Sequence, residues 1–187
     1  MSQLRGDGGL RSIQRKRKTE LAYVYIDSDV IVSSQRRSEK NHNESKKFMI
    51  SAVGPHPSHI KYIISVFTFL EVASAMIRRT HNKHRAYSLL YQIKDSWKRS
   101  IKPAPPLATK DLTSFERLVE SLVESTMKFR TPSFDSIHAQ TIYLYDCDYL
   151  VTWNKADFKG LRRRMRKLKI LTPTEMTQEL NLLSNSP

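Results

Sequence analysis

Four carboxylates, spread over most of the chain, stand where an α/β protein keeps its reactive groups. Asp27 directly follows the apolar run Leu21 to Ile26 (LAYVYI). Glu71 lies about one turn into a helix expected after Tyr62 to Val66 (YIISV). Asp135 stands at the start of a further helix, and Asp157 in the loop after Tyr149 to Thr152 (YLVT). In open parallel sheets the active site lies beyond the C-terminal ends of the strands, and each of these acids can reach that rim. Carboxylates gathered in one cleft repel one another, and a hard divalent cation makes such a group tolerable. Mg²⁺ takes a few carboxylate oxygens plus waters at roughly 2.0–2.1 Å. A cation there lowers the pKa of a water and stabilises charge on a phosphate, and two ions about 3.5–4 Å apart clamp the attacking and leaving oxygens. That chemistry is phosphodiester hydrolysis. Taken singly, each acid has a plainer use. Asp135 could cap a helix at its positive end, Glu71 could be a surface helix residue, and Asp157 a turn former.

The elements that would position these acids alternate strand and helix. Leu21–Ile26, Tyr62–Val66, Tyr149–Thr152 and Lys169–Leu171 read as buried strands. Helices are expected over Thr68–Arg79, over His84–Lys98 and from Ser133–Asp135 to Tyr145. In the second of these, Leu89, Leu90, Ile93 and Trp97 share one face. Thr113 to Glu116 is a capping box that opens another helix. Thr172-Pro-Thr-Glu175 has the N-cap, first-turn proline and return glutamate of a last helix. The polar segment Ser33–Ser45 reads as a loop, followed by a short helix, Phe48–Val53, stopped at Gly54-Pro55. Pro103, Pro105 and Pro106 exclude a central strand. The order predicts an α/β fold: a three-layer α/β/α arrangement around a parallel sheet.

The chain has 187 residues, 39% hydrophobic and 27% charged, which is globular composition and enough for one core. Residues 1–19 are polar and basic and read as a disordered N-terminal arm; residues 20–187 read as one domain. Lys and Arg total 32 against 18 acids, a net +14. That excess points first to a polyanion such as RNA or DNA, with an acidic protein or an anionic membrane surface as rivals. The single cysteine, Cys147, excludes an internal disulfide and a cysteine-built zinc site. The N-terminal segment has no apolar core for a signal peptide. The stretch Tyr62–Ile77 is too short and is interrupted by Glu71, so no membrane span is expected and a cytoplasmic location is.

The segments around the acids resemble those of PIN domains, above all the VapC-type toxin ribonucleases. Ile26-Asp-Ser-Asp-Val-Ile31 is similar to their opening LDTNVL. Ile64-Ser-Val-Phe-Thr-Phe-Leu-Glu71 resembles ISVITxxE, and Phe134-Asp-Ser-Ile-His-Ala139 resembles PDAxIA. Thr152-Trp-Asn-Lys-Ala-Asp-Phe158 fits TxNxxDF, and Ile170-Leu-Thr-Pro-Thr-Glu175 resembles the closing VLTPEEF. Any one segment is weak; all together, in family order over about residues 20–180, they are specific. The resemblance implies a PIN-like fold with Asp27, Glu71, Asp135 and Asp157 as catalytic acids holding Mg²⁺ or Mn²⁺. It places Ser28, Asp29, Ser65, Thr152 and Asn154 in support. Thr152 would hydrogen-bond a metal-holding carboxylate, and Asn154 would organise the loop bearing Asp157. It also implies RNA as substrate, an antitoxin partner and a homodimer. Two departures stand out. Asp29 occupies a position where the family usually has Asn, and Ser33–Ser58 lacks the usual amphipathic first helix.

Lys159 to Lys169 holds seven basic residues and no acid. Leu161, Met165 and Leu168 would face the core, leaving Arg162, Arg163, Arg164, Arg166 and Lys167 outward beside Asp157, placed to bind RNA phosphates. As a purely structural feature the same run would be a solvated, solubilising face. Arg78 to Arg85 forms a second basic cluster of open purpose. His56 and His59, and His81 and His84, match no zinc pattern. His138, three residues after Asp135, reads as a packing or hydrogen-bonding residue, and Trp153 as a base-stacking or packing one. The leading expectation is a metal-dependent endoribonuclease, in its toxin form one half of a type II toxin-antitoxin pair. The alternatives are a non-catalytic RNA-binding scaffold on a PIN fold and a DNA nuclease.

Overall fold

The computed structural model describes residues 21–80, 82–104 and 133–184, and the single positions 117, 119, 120, 123 and 127. Its strands are β1 (Ala22–Ile26), β2 (Ile60–Ser65), β3 (Ile101–Ala104), β4 (Tyr149–Val151) and β5 (Lys169–Leu171). All neighbouring pairs are parallel, in the order β3-β2-β1-β4-β5. The chain builds outward from β1 in one direction, then returns to build outward in the other. The crevice between the ends of β1 and β4 is therefore the switch point at which such sheets bind ligands.

Near-continuous apolar runs suit strands covered on both faces. Val24, Ile26, Ile60, Tyr62, Ile64 and Val151 face one layer. That layer contains α1 (Ser28–Gln35), α2 (His42–Val53), α3 (Thr68–Thr80), α4 (Lys83–Trp97) and α7 (Pro173–Ser184). Tyr25, Ile63 and Leu150, one residue out of step, face α5 (Ser133–Leu144) and α6 (Lys159–Arg164) on the other side. The expected three-layer α/β/α arrangement is present. No helix among the described residues is long and apolar enough to cross a membrane.

One local expectation is corrected. Ser33–Ser45 is not one loop: α1 runs to Gln35 and α2 begins at His42. Their inward positions at helical spacing include Ser34 and Ser45, buried beside Val30, Ile31, Phe48, Met49 and Ala52. Small polar residues thus broke the visible apolar stripe. Each is satisfied locally: Ser34 Oγ donates to the Ile31 carbonyl at 2.7 Å, and Ser45 Oγ accepts the Trp153 indole N–H at 2.8 Å. The exclusion of a central strand at the prolines holds: β3 contains Pro103 but is an edge strand. It lies at the sheet edge, where a missing N–H is tolerated. The last helix starts as its capping box dictates. The Thr172 N–H donates to Glu175 Oε2 at 2.6 Å, and the Glu175 N–H donates to Thr172 Oγ1 at 3.3 Å. The N-terminal arm and the capping box at Thr113–Glu116 lie outside the described residues.

Candidate active site

Parallel pairing of Ile26 with Val151 brings the residues just beyond β1 and β4 side by side. The Asp27 N–H donates to the Val151 carbonyl at 3.0 Å, so the ladder ends on Asp27 itself. Asp27 then turns the chain into α1. Its Oδ1 accepts the Ser28 N–H at 2.7 Å, and its Oδ2 accepts the Thr152 hydroxyl at 2.8 Å. It is 5% exposed. Burial pushes its pKa up, against the opposing pull of His138, Thr152 and the Ser28 N–H; Glu71 adds to the rise.

Asp29 shares this corner. Its Oδ2 accepts the Trp153 N–H at 2.9 Å and lies 3.2 Å from Thr152 Oγ1, while its buried Oδ1 has no hydrogen-bond partner. One hydroxyl proton cannot serve Asp27 and Asp29 together. Burial, then the neighbouring Asp27 charge, push the Asp29 carboxyl up to about 7. Asp135 comes from the first turn of α5 and is raised to about 6, first by burial and then by Asp27, Asp157 and Glu71. Of the expected acids, Asp27, Asp157 and Glu71 are thus each near enough to Asp135 for their charge to raise it. Asp157 is held from within its own loop by the side-chain amide of Asn154, and the Asn154 N–H donates to Thr152 Oγ1 at 3.0 Å.

Glu71 is the exception among the acids. Burial alone would raise it, but the hydrogen bond and charge of His138, with the Ser28 hydroxyl, carry it below its ordinary value. His138 Nε2 lies 2.8 Å from Glu71 Oε2, and its Nδ1 lies 2.5 Å from the Tyr25 hydroxyl. That hydroxyl accepts the Ser65 N–H at 3.1 Å. A carboxylate can only accept here, so Nε2–H donates to Glu71 whether the ring carries one proton or two. Ser65 therefore supports the site through Tyr25 rather than by touching the acids.

Reading the chain did not single out Tyr25, whereas His138, read there as a packing or hydrogen-bonding residue, does hydrogen-bond, to Glu71 and Tyr25. His138 sits one turn after Asp135 on α5, and Tyr25 sits two residues before Asp27, facing the opposite layer. Trp153 is committed to Ser45 and Asp29 through its two N–H groups, which makes it a packing residue. Arg162, Arg163, Arg164, Arg166 and Lys167 are all exposed over the buried Leu161, Met165 and Leu168. Nothing brings their side chains into contact with the acids. The His138 contact is open to test. Replacing His138 with Leu should raise the pKa of Glu71, read by ¹³C NMR titration of its side-chain carboxyl, and His138→Gln, which keeps a donor, should raise it less. An unchanged Glu71 titration in a folded His138→Leu protein would show the contact to be incidental.

The donor chemistry suits a hard cation: the acids offer carboxylate oxygens, and the buried Asp29 Oδ1 has no hydrogen-bond partner. Among the described residues no three Asp, Glu, His or Cys side chains stand close enough to form a ready-made coordination shell. Asp27, Glu71 and Asp157 are each turned toward a donor of their own.

Solved structures of other proteins are similar to this one in fold. FitAcB from Neisseria gonorrhoeae is 15% identical, with a TM-score of 0.50 over 80% of this chain and 97% of that one. VapBC-1 from nontypeable Haemophilus influenzae is 13% identical, with a TM-score of 0.49 over 81% and 98%. VapC20 from Mycobacterium tuberculosis, a sarcin-ricin loop cleaving toxin, is 15% identical, with a TM-score of 0.47 over 68% and 86%. At such identities the likeness is one of fold, the PIN-like arrangement that the motifs imply. No protein-family model and no curated protein sequence matches the chain.

Proposed function

We propose that the chain is a divalent-metal-dependent endoribonuclease that hydrolyses RNA phosphodiester bonds, with Asp27, Glu71, Asp135 and Asp157 as the acids that hold Mg²⁺ or Mn²⁺. One observation carries the reading. Asp135 is raised by the charges of Asp27, Asp157 and Glu71, acids from three other segments, which supports a shared site near the β1–β4 switch point. A structural role accounts poorly for such a group, because two of its members are raised by mutual charge and burial. The bound cation would neutralise charge on the phosphate and acidify a water.

The chain's own residues divide the remaining work. Thr152 and Ser28 fix Asp27, Asn154 fixes Asp157, and His138 fixes Glu71. The exposed arginines of α6 begin a few residues after Asp157, so an RNA strand held on that helix runs past the acids. The finer reading, that this nuclease is a toxin neutralised by an antitoxin, rests on the motif resemblance. A dimer surface rests on the same footing.

The test is cleavage of matched RNA and DNA strands by the purified full chain with Mn²⁺, Mg²⁺ or EDTA. Cleavage of RNA alone, abolished by EDTA, is expected; equal cleavage of DNA would move the assignment to a DNA nuclease, since the 2′-hydroxyl is the backbone's only difference. RNA binding with no cleavage under any metal would leave a scaffold on the same fold.

A further inference from the structure

The Tyr25 hydroxyl is joined to Glu71 through a single intervening ring. Tyr25 is fully buried, and its hydroxyl accepts the Ser65 N–H at 3.1 Å. The pairing of β1 with β2 ends at Tyr25 and Ile63, so that N–H lies beyond the ladder, and the hydroxyl takes it. The same oxygen stands 2.5 Å from His138 Nδ1. The two rings meet edge to face, 5.9 Å between centroids at 66°. His138 is 1% exposed, and its Nε2 lies 2.8 Å from Glu71 Oε2. A backbone N–H at the end of β2, a phenol on β1 and an imidazole on α5 thus form one unbroken chain to a carboxylate on α3.

The phenol suits His138 in either charge state. A neutral ring accepts the hydroxyl proton at Nδ1, and a doubly protonated ring donates to the hydroxyl oxygen. Nε2 keeps its proton on Glu71 in both. Glu71 is the link that needs holding, because its long side chain is 27% exposed. Without the Tyr25 hydroxyl, Nδ1 would be buried and unpaired, which is costly. The ring would then gain by turning toward another partner, and Glu71 would lose its donor.

We infer that Tyr25 is a positioning residue for cation binding: its hydroxyl fixes the His138 ring and, through it, sets the Glu71 carboxylate in the metal-free chain. The inference rests on the reading of Glu71 as a cation-holding acid. An acid already held in place loses less freedom when an ion binds, so affinity rises. Indirect partners of this kind are worth roughly 10–100-fold in metal affinity.

The test is calorimetric titration of the full chain with Mn²⁺ in the absence of RNA, so that no cleavage enters the readout. Tyr25→Phe keeps the core ring and removes the hydroxyl. It is expected to bind Mn²⁺ about tenfold more weakly. It should also melt lower than the parent in EDTA, because the Ser65 N–H and His138 Nδ1 both lose their partner. A tyrosine that served the fold alone would lower the melting temperature and leave the affinity of the folded protein unchanged. His138→Leu supplies the second arm of a double-mutant cycle. In that background Tyr25→Phe should cost no further affinity, since the ring that carries its effect is gone. Parent-like affinity in folded Tyr25→Phe overturns the inference alone, and so do losses that add in the double variant. A parent that binds no Mn²⁺ removes the metal reading of the acids, and this inference with it. One measurement on the parent stands even where Tyr25→Phe does not fold. ¹⁵N NMR of the metal-free chain at pH 8 should show a proton on His138 Nε2. A ring protonated at Nδ1 alone breaks the chain at Glu71 and overturns the inference.

Discussion

Replacing Asp27 with Asn should lower Mn²⁺-dependent RNA cleavage by about a thousandfold or more while leaving the protein folded. The magnitude follows from the chemistry. Charge stabilisation at the phosphate amounts to several kcal/mol, and each 1.36 kcal/mol is a factor of ten in rate. The fold survives because the amide keeps the shape, its oxygen still accepts the Ser28 N–H, and its NH2 can donate to the Thr152 hydroxyl oxygen in place of accepting from it. Asp27 is also buried with its pKa raised, so its charge destabilises the metal-free protein. The variant should therefore melt at or above the parent temperature in EDTA. Cleavage rates with Mn²⁺ in excess, paired with thermal melts, check both halves. A variant that cuts RNA at the parent rate ends the proposed mechanism. One that loses activity together with its melting transition would place Asp27 in the fold alone.

That pairing of lost activity with retained stability marks what the residues reveal from sequence. Asp27 was legible because an apolar run rich in β-branched and aromatic residues ends on a carboxylate, a local pattern. The parallel order was legible because strand and helix alternate. Position within the sheet was not. That β1 lies at its centre with β4 beside it depends on pairings between distant residues, and the Asp27–Thr152 contact spans 125 positions. Helix α1 and the first half of α2 were missed because Ser34 and Ser45 face inward, where a hydroxyl reads as a loop residue until its partner is known. The Tyr25–His138–Glu71 chain was hidden for the same reason. A histidine among apolar neighbours says nothing of its two ring partners, and here they come from β1 and α3.

The acid cluster also sets how the protein responds to pH. In EDTA, the melting temperature should fall as pH rises from 5 to 8. Asp29 is raised to about 7 and Asp135 to about 6, from an ordinary 3.8, and Asp27 is raised as well. A carboxyl raised in the folded state favours folding while protonated. That contribution is complete below the unfolded value and is lost as pH climbs through the folded one. His138 is raised too, through Glu71, and loses its contribution in the same direction. Glu71, lowered, acts oppositely, but its change is finished below pH 5. For Asp29 alone the rise of about three pH units corresponds to at most about 4 kcal/mol. At roughly 2–4 °C per kcal/mol for a chain of this size, a drop of about 5 °C or more is expected.

Saturating Mn²⁺ offers the carboxylates a partner only when they are ionised, so it should raise the melting temperature far more at pH 8 than at pH 5. Asp29→Asn separates this from the effect of overall charge. It removes the more strongly raised of Asp29 and Asp135 and leaves the other basic and acidic residues in place, so its metal-free melting curve should be flatter across the range. If parent and Asp29→Asn change alike between pH 5 and 8, the slope belongs to the general charge of a +14 protein, and the crowding of acids at the β1–β4 crevice is not what drives it.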